Sequence, residues 1–180
     1  MEKIESGHFY HIYNRGNNRE NLFKEEINYN YFLLLLQKHL LPIAEIFSYC
    51  LLKNHFHLLV RVNETTEDRD FPQAFSNMCN AYTKAINKKY ERTGSLFENR
   101  YRRRKISDEN DLRNVILYIN LNPVYHRFIR NIYEYKHSSL PILLSYKKTF
   151  IKRDEVLNFF DGRDNLRYNV DAKVWSSMNI

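Results

Sequence analysis

"IAEIFSYCLLKNHFHLLVRV", residues 43–62, holds two apolar runs separated by Lys53 and Asn54. Runs of this length rich in Ile, Phe, Leu and Val suit strands, and a two-residue polar break suits a tight turn. The stretch is therefore predicted to fold as a β-hairpin. Strand side chains alternate between faces, so Phe56, Leu58, Val60 and Val62 form an apolar face. His55 and His57 then project together from the opposite one.

The elements around the hairpin determine the fold it belongs to. Upstream, "HFYHIYNRGNN" (8–18) reads as an aromatic strand ending in a turn, and "KEEINYNYFLLLLQKHL" (24–40) as a helix ended before Pro42. Downstream, "NETTEDRD" (63–70) reads as an acidic loop and residues 71–90 as a second helix. "SLFENRYRRRKI" (95–106) reads as a basic strand or extended arm. "DENDLRNVILYINL" (108–121) is a third helix, with Ser107 or Asp108 as N-cap and Pro123 as its stop. The first six elements, β-α-β-β-α-β, follow the order of a ferredoxin-like split βαβ unit. This predicts an α+β fold: a central antiparallel sheet with helices on one face and an extra C-terminal helical segment. The expected boundary separates a domain over residues 1–130 from an extension over 131–180. Within the extension, "EVLNFFDG" (155–162) reads as a short helix with a Gly stop.

Composition limits the function classes. Hydrophobic residues make up 43% of 180, enough for a core, while Gly and Pro number four each, which argues against a disordered or loop-built chain. Lys and Arg total 28 against 21 acidic residues, a formal charge of +7, which suits a polyanionic partner such as nucleic acid. Fourteen Tyr and twelve Phe are ordinary core and rim for the most part, although aromatics on a basic surface also stack on unpaired bases. Cys50 and Cys79 form no CxxC and no framework, which fits a reducing compartment. No signal-peptide core opens the chain, and the apolar run in 31–41 is too short to span a membrane. The expectation is a soluble, cytoplasmic protein with no membrane partner.

Taken alone, His55 and His57 fit either a metal site or two half-buried polar residues. On a wheel at 100° per residue, Asp111, Asn114 and Asn122 fall within roughly 40° of Tyr118, beside an apolar stripe of Leu112, Val115, Ile116 and Ile119. By itself this is equally a tyrosine bordering a core, with an Asn closing the helix before Pro. Together, two imidazoles and the Asn122 amide oxygen form a set able to hold Mg²⁺ or Mn²⁺, with Tyr118 as a nucleophile toward phosphorus. A free phenol titrates near pH ~10, so it needs activation at neutral pH. Tyr82 and Tyr90 are the alternative nucleophiles, better explained by packing at i and i+8 on the second helix. In the run Arg100, Arg102, Arg103, Arg104 and Lys105, the strand period puts Arg102 and Arg104 on one face and Arg103 and Lys105 on the other. One set suits a DNA backbone and the other solvent. Asn14 and Arg15 serve either DNA or the turn at Gly16. His8, His11, His39, His126 and His137 are expected in structural or surface roles.

The chain resembles the HUH single-tyrosine transposases, in particular the REP-associated tyrosine transposase group, also described as IS200-like. The resemblance is carried by "YHIYNRGNNRENLF" (10–23), "YCLLKNHFHLLV" (49–60), "RTGSLFENRYRRRKI" (92–106) and "LYINLNPV" (117–124), with a fainter echo in "YKHSSL" (135–140). It covers roughly the first 130 residues. His55-Phe56-His57 matches that family's metal pair, Tyr118 its nucleophile and Asn122 the polar residue completing the metal site. The chain departs from the expected Met-Pro-Asn at Leu52-Lys53-Asn54. The resemblance implies cleavage and rejoining of single-stranded or hairpin DNA, including repetitive palindromic elements, through a 5′-phosphotyrosine. A monomer and a homodimer that exchanges the tyrosine helix are both compatible with it. The extension over 131–180 is then a candidate accessory to DNA binding. Two other classes share these residues. A metal-dependent nuclease using water needs no Tyr118, and a non-catalytic single-stranded nucleic-acid-binding module needs no metal.

Overall fold

The structure is a computed structural model describing residues 3–67 and 69–178. Its elements are β1 (Phe9–Arg15), α1 (Glu26–Leu40), β2 (Ala44–Leu52), β3 (His55–Val62), α2 (Asp70–Lys89), β4 (Arg102–Lys105), α3 (Glu109–Tyr125), α4 (Leu140–Leu143), α5 (Arg153–Asn158) and α6 (Arg163–Met178). β2 and β3 are the predicted hairpin, turning at Lys53-Asn54. The four strands lie in the order β2-β3-β1-β4, antiparallel throughout, which is the split βαβ arrangement. The acidic loop read over 63–70 ends where α2 begins at Asp70, and its position 68 lies outside the described residues.

One sheet face carries the main core. Phe56 of β3 meets Phe32 of α1 at a ring separation of 5.0 Å and Phe75 of α2 at 6.2 Å. Each such fully buried side chain contributes about 1.5–3 kcal/mol from removed apolar surface. Tyr82 is also buried here and donates its hydroxyl to the Leu22 carbonyl at 2.8 Å. Tyr90 donates to Glu25 at 2.7 Å, tying the end of α2 to the start of α1. Both tyrosines are thus committed to packing, as their helical spacing suggests.

The second face is covered by α3. Its stripe of Leu112, Val115, Ile116 and Ile119 is buried, and Asp108 caps its start by accepting the Asp111 N–H. Pro123 does not stop this helix, which continues to Tyr125. A proline lacks one N–H and crowds the carbonyl four residues earlier, but in the final turn few bonds remain to be lost. His126 N–H still reaches the Asn122 carbonyl at 2.9 Å, and Phe128 N–H reaches that of Pro123 at 2.8 Å.

A buried polar cluster fastens α3 to the sheet. Asn120 Nδ2 donates to Ser48 Oγ at 2.9 Å, Ser139 Oγ donates to Asn120 Oδ1 at 2.8 Å, and the two serine hydroxyls lie 2.9 Å apart. A satisfied polar network in a low-dielectric interior fixes one register of packing. Ser139 belongs to a segment that also covers the outer edge of β2: Leu51 N–H donates to His137 O at 2.9 Å and Ser139 N–H to Tyr49 O at 2.8 Å. Leu140, Val156, Phe160, Leu166 and Val170 join the same core cluster. Within the C-terminal part, the predicted short helix is α5, followed by a turn through Gly162 (φ +114°), a backbone setting that favours glycine. α6, over a polar stretch without a clear apolar period, packs on α3. Cys50 and Cys79 are free thiols.

Candidate active site

Strand register builds the site. Tyr13 of β1 lies opposite His57 of β3 on one side and opposite Arg102 of β4 on the other. Arg15 pairs with His55, and His11 with Arg104. Cross-strand partners project from the same face, so His11, Tyr13, Arg15, His55, His57, Arg102 and Arg104 all share the face on which α3 lies. Gly16 ends β1 where only glycine fits: a Cβ there would stand 2.0 Å from the Glu20 carbonyl oxygen. Its N–H bonds to the Asn54 carbonyl at 2.8 Å, which pins the turn after β1 to the tip of the histidine hairpin.

Tyr118 projects from α3 over this face. Its ring stands 5.7 Å from that of His57 and 5.8 Å from that of His11, edge-on in both cases, and it is 42% exposed. A cleft of about 700 Å³ runs beside it, lined by Tyr13, Arg15, His55, His57 and Arg102. A second hollow of about 420 Å³ shares Tyr13, His57 and Tyr118 and continues to His11, Arg104, Asp111 and Asn114. Tyr118 stands where the two meet.

The imidazoles are built to be neutral. Burial is the main cause in each case, pushing His55 and His11 down to about 4 and His57 to about 2. At neutral pH each ring therefore has one nitrogen carrying a proton and one carrying a lone pair. His55 Nδ1 lies 2.8 Å from Asn54 Oδ1, an acceptor, so Nδ1 carries the proton and Nε2 keeps the lone pair. His57 Nδ1 lies 2.9 Å from His11 Nε2. Asn122 donates Nδ2 to the Tyr118 carbonyl at 2.7 Å, whereas its Oδ1 is buried and accepts no hydrogen bond from any described residue. A buried amide oxygen without a donor is costly in an apolar setting and suits a cation. Among the described residues no group of three or more His, Cys, Asp or Glu is placed to hold a metal ion. His55 and His57 line the cleft, whereas Asn122 is fully buried and lines neither hollow.

The basic run divides as its alternation predicts. Arg102 lines the cleft, while Arg104 forms a two-pronged pair with Asp111 at 2.6 and 2.9 Å. On the opposite face, Arg103 bonds the Tyr101 hydroxyl at 3.1 Å and Lys105 pairs with Glu5 at 2.5 Å. Arg100 is exposed and lines neither hollow. Asn14 is buried, donating to Glu98 O and accepting the Arg15 N–H, so its amide holds the turn. Arg15 pairs with Glu98 at 2.5 Å and borders the cleft. Sequence reasoning missed three residues. His11 bonds His57, His126 lines the cleft with its ring 4.9 Å from that of His55, and Asn120 anchors the tyrosine helix. His11 shares the strand parity of Tyr13, but only the β1–β3 register reveals its neighbour.

Comparison with known proteins gives three matches. The model of the family described as "Transposase IS200 like" matches residues 5–122. A REP-associated tyrosine transposase of Haemophilus influenzae is 26% identical over 104 residues, which is 53% of this chain and 58% of the relative's own length. A solved structure, described as a REP-associated tyrosine transposase bound to a REP hairpin, superposes with a TM-score of 0.65 at 19% identity, over 81% of this chain and 84% of that one. At that identity the superposition establishes a shared fold.

Proposed function

The chain belongs to the IS200-like transposase family, and from that premise we propose that it cleaves and rejoins single-stranded DNA next to hairpins, with Tyr118 as the nucleophile. The observation that carries the reading is the placement of Tyr118, 5.7 Å from His57 and over the same cleft. The orphaned Asn122 Oδ1 lies one helical turn away from it on the same helix.

In this reading His55 Nε2, His57 Nε2 and Asn122 Oδ1 would hold a divalent ion, Mg²⁺ or Mn²⁺. Such an ion polarises a phosphoryl oxygen and takes up charge developing in the transition state. The protein's own part is positioning. Arg102 and Arg15 hold the strand through its phosphates, and Tyr13 offers a ring on which a base stacks. Tyr118 Oη attacks phosphorus, a new P–O bond to tyrosine forms, and its proton leaves to water at the open mouth of the cleft. The P–O3′ bond breaks and the departing oxygen takes up a proton as a 3′-hydroxyl. Attack by a second 3′-hydroxyl on the phosphotyrosine reverses these steps, so rejoining needs no nucleotide hydrolysis.

His55, His57 and Tyr118 of one chain line the same cleft, which supports a reading with no exchange of α3 between two copies. The C-terminal segment would assist binding through the groove between α3 and α6. That groove, of about 430 Å³, is lined by Asn110, Arg113, Asn114, Asn165, Asn169 and Lys173. Asn114 also borders the hollow beside Tyr118, so one strand can run from the nucleophile into an amide-rich groove.

The test is incubation with hairpin-flanked single-stranded DNA, with and without Mn²⁺, followed by a denaturing gel. A covalent protein–DNA adduct is expected with the metal, and Tyr118→Phe should lose it while keeping DNA binding. An adduct that persists in Tyr118→Phe rejects the assignment. Cleavage with no trapped adduct would instead identify a nuclease using water. Binding with no cleavage, indifferent to EDTA and to His55→Ala, would identify a binding module.

A further inference from the structure

We propose that His11 is a positioning residue that fixes His57 in the tautomer carrying its proton on Nδ1, leaving the Nε2 lone pair free. His11 Nε2 and His57 Nδ1 are 2.9 Å apart, and the two residues are 6% and 5% exposed. Their ring centroids lie 5.1 Å apart with planes at 25°. Nitrogens this close at that centroid distance place the bond between the rings, edge to edge, so it is a hydrogen bond rather than face stacking.

Two neutral imidazoles in this contact share one proton in one of two ways. If His11 donates, His57 Nδ1 is the acceptor, the single proton of His57 sits on Nε2, and the ring has no lone pair left to offer. If His57 donates, His11 Nε2 accepts and His57 Nε2 is the free donor atom. The second arrangement puts the remaining proton of His11 on Nδ1. His55 is fixed in the same tautomer by Asn54 Oδ1 at 2.8 Å. The two histidines thus carry matching orienting groups, one supplied by the hairpin turn and the other by β1. Such outer partners set the orientation and basicity of ligating imidazoles.

The value of the free Nε2 rests on the ligand reading above, but the tautomer itself is measured without metal. Long-range ¹H–¹⁵N NMR in EDTA should show His57 protonated on Nδ1 in the full-length protein. In His11→Phe that preference should be lost, and Mn²⁺ affinity measured by EPR should fall about 10- to 100-fold. His11→Gln should restore both, because its amide oxygen accepts the same bond. Finding His57 protonated on Nε2 in the unsubstituted protein overturns the proposal. So does equal Mn²⁺ affinity in the unsubstituted protein and His11→Phe while His55→Ala still abolishes binding. If His55→Ala leaves Mn²⁺ binding unchanged, the ligand reading fails instead, and the NMR result decides the role of His11 by itself.

Discussion

A histidine held in a low-dielectric interior is a charge the fold has excluded. His11 and His57 are held below the ~6.5 of a free imidazole, chiefly by burial. In the unfolded chain both titrate near ~6.5, so below that pH the unfolded state binds more protons than the folded one. Stability from these groups is complete above pH ~6.5 and falls as pH drops toward the folded values, about 4 for His11 and about 2 for His57. Between pH 7 and pH 5, above the carboxylate range, the loss should be on the order of a few kcal/mol for the pair. Urea denaturation in EDTA at the two pH values measures it, and His57→Gln should remove about half of the pair's share. Equal stability at pH 7 and pH 5 would mean that these rings are hydrated and free to charge. The same neutrality keeps their lone pairs available at physiological pH, which is what a ligand role requires.

At the scale of elements, the site depends on how rigidly α3 is held against the sheet. Asn120 lies two residues from Tyr118 and is 1% exposed, bonded to Ser48 and Ser139. Removing its amide takes one of the bonds from each of two buried hydroxyls, which keep only each other and the Tyr49 N–H, a loss of about 1–3 kcal/mol. Asn120→Ala is therefore expected to lower unfolding stability by at least that amount. If Tyr118 is the nucleophile as proposed, it should also slow adduct formation, because a displaced nucleophile loses its attack geometry. Stability and adduct rate both matching the unsubstituted protein would show that α3 is held by apolar packing alone. The element order was legible because each segment has a clear period and clear stops. The wheel likewise put Asp111 and Asn114 beside Tyr118, where the second hollow brings them together. Asn120 was not legible, since a polar residue inside an apolar helix shows its purpose only when Ser48 and Ser139, 72 and 19 residues away, come into place. Pro123 misled because its effect depends on how much helix follows it. α6 was missed because its apolar contacts are spread thinly along a polar sequence.

For the whole molecule, the surplus of positive charge matters less than its division between the two sheet faces. Arg102 opens onto the cleft with Tyr118, and Lys173 lines the groove between α3 and α6. Lys105, only three residues from Arg102, projects from the other face and pairs with Glu5. If one strand crosses the Tyr118 face and continues along the groove, Arg102 and Lys173 each neutralise a phosphate while Lys105 neutralises none. For single strands the slope of log K against log salt changes by about 0.7 per phosphate contact. Arg102→Ala and Lys173→Ala should therefore each make the slope shallower by about 0.7, and the double variant by about 1.4. Lys105→Ala should leave it unchanged. Fluorescence anisotropy of a labelled hairpin with a single-stranded flank, titrated across a series of salt concentrations, measures all four proteins in one experiment. A slope that changes for Arg102→Ala but not Lys173→Ala would confine the DNA to the cleft and remove the C-terminal segment from binding. A slope that responds equally to Lys105→Ala would show that the charge acts as a diffuse field, with no track across the Tyr118 face.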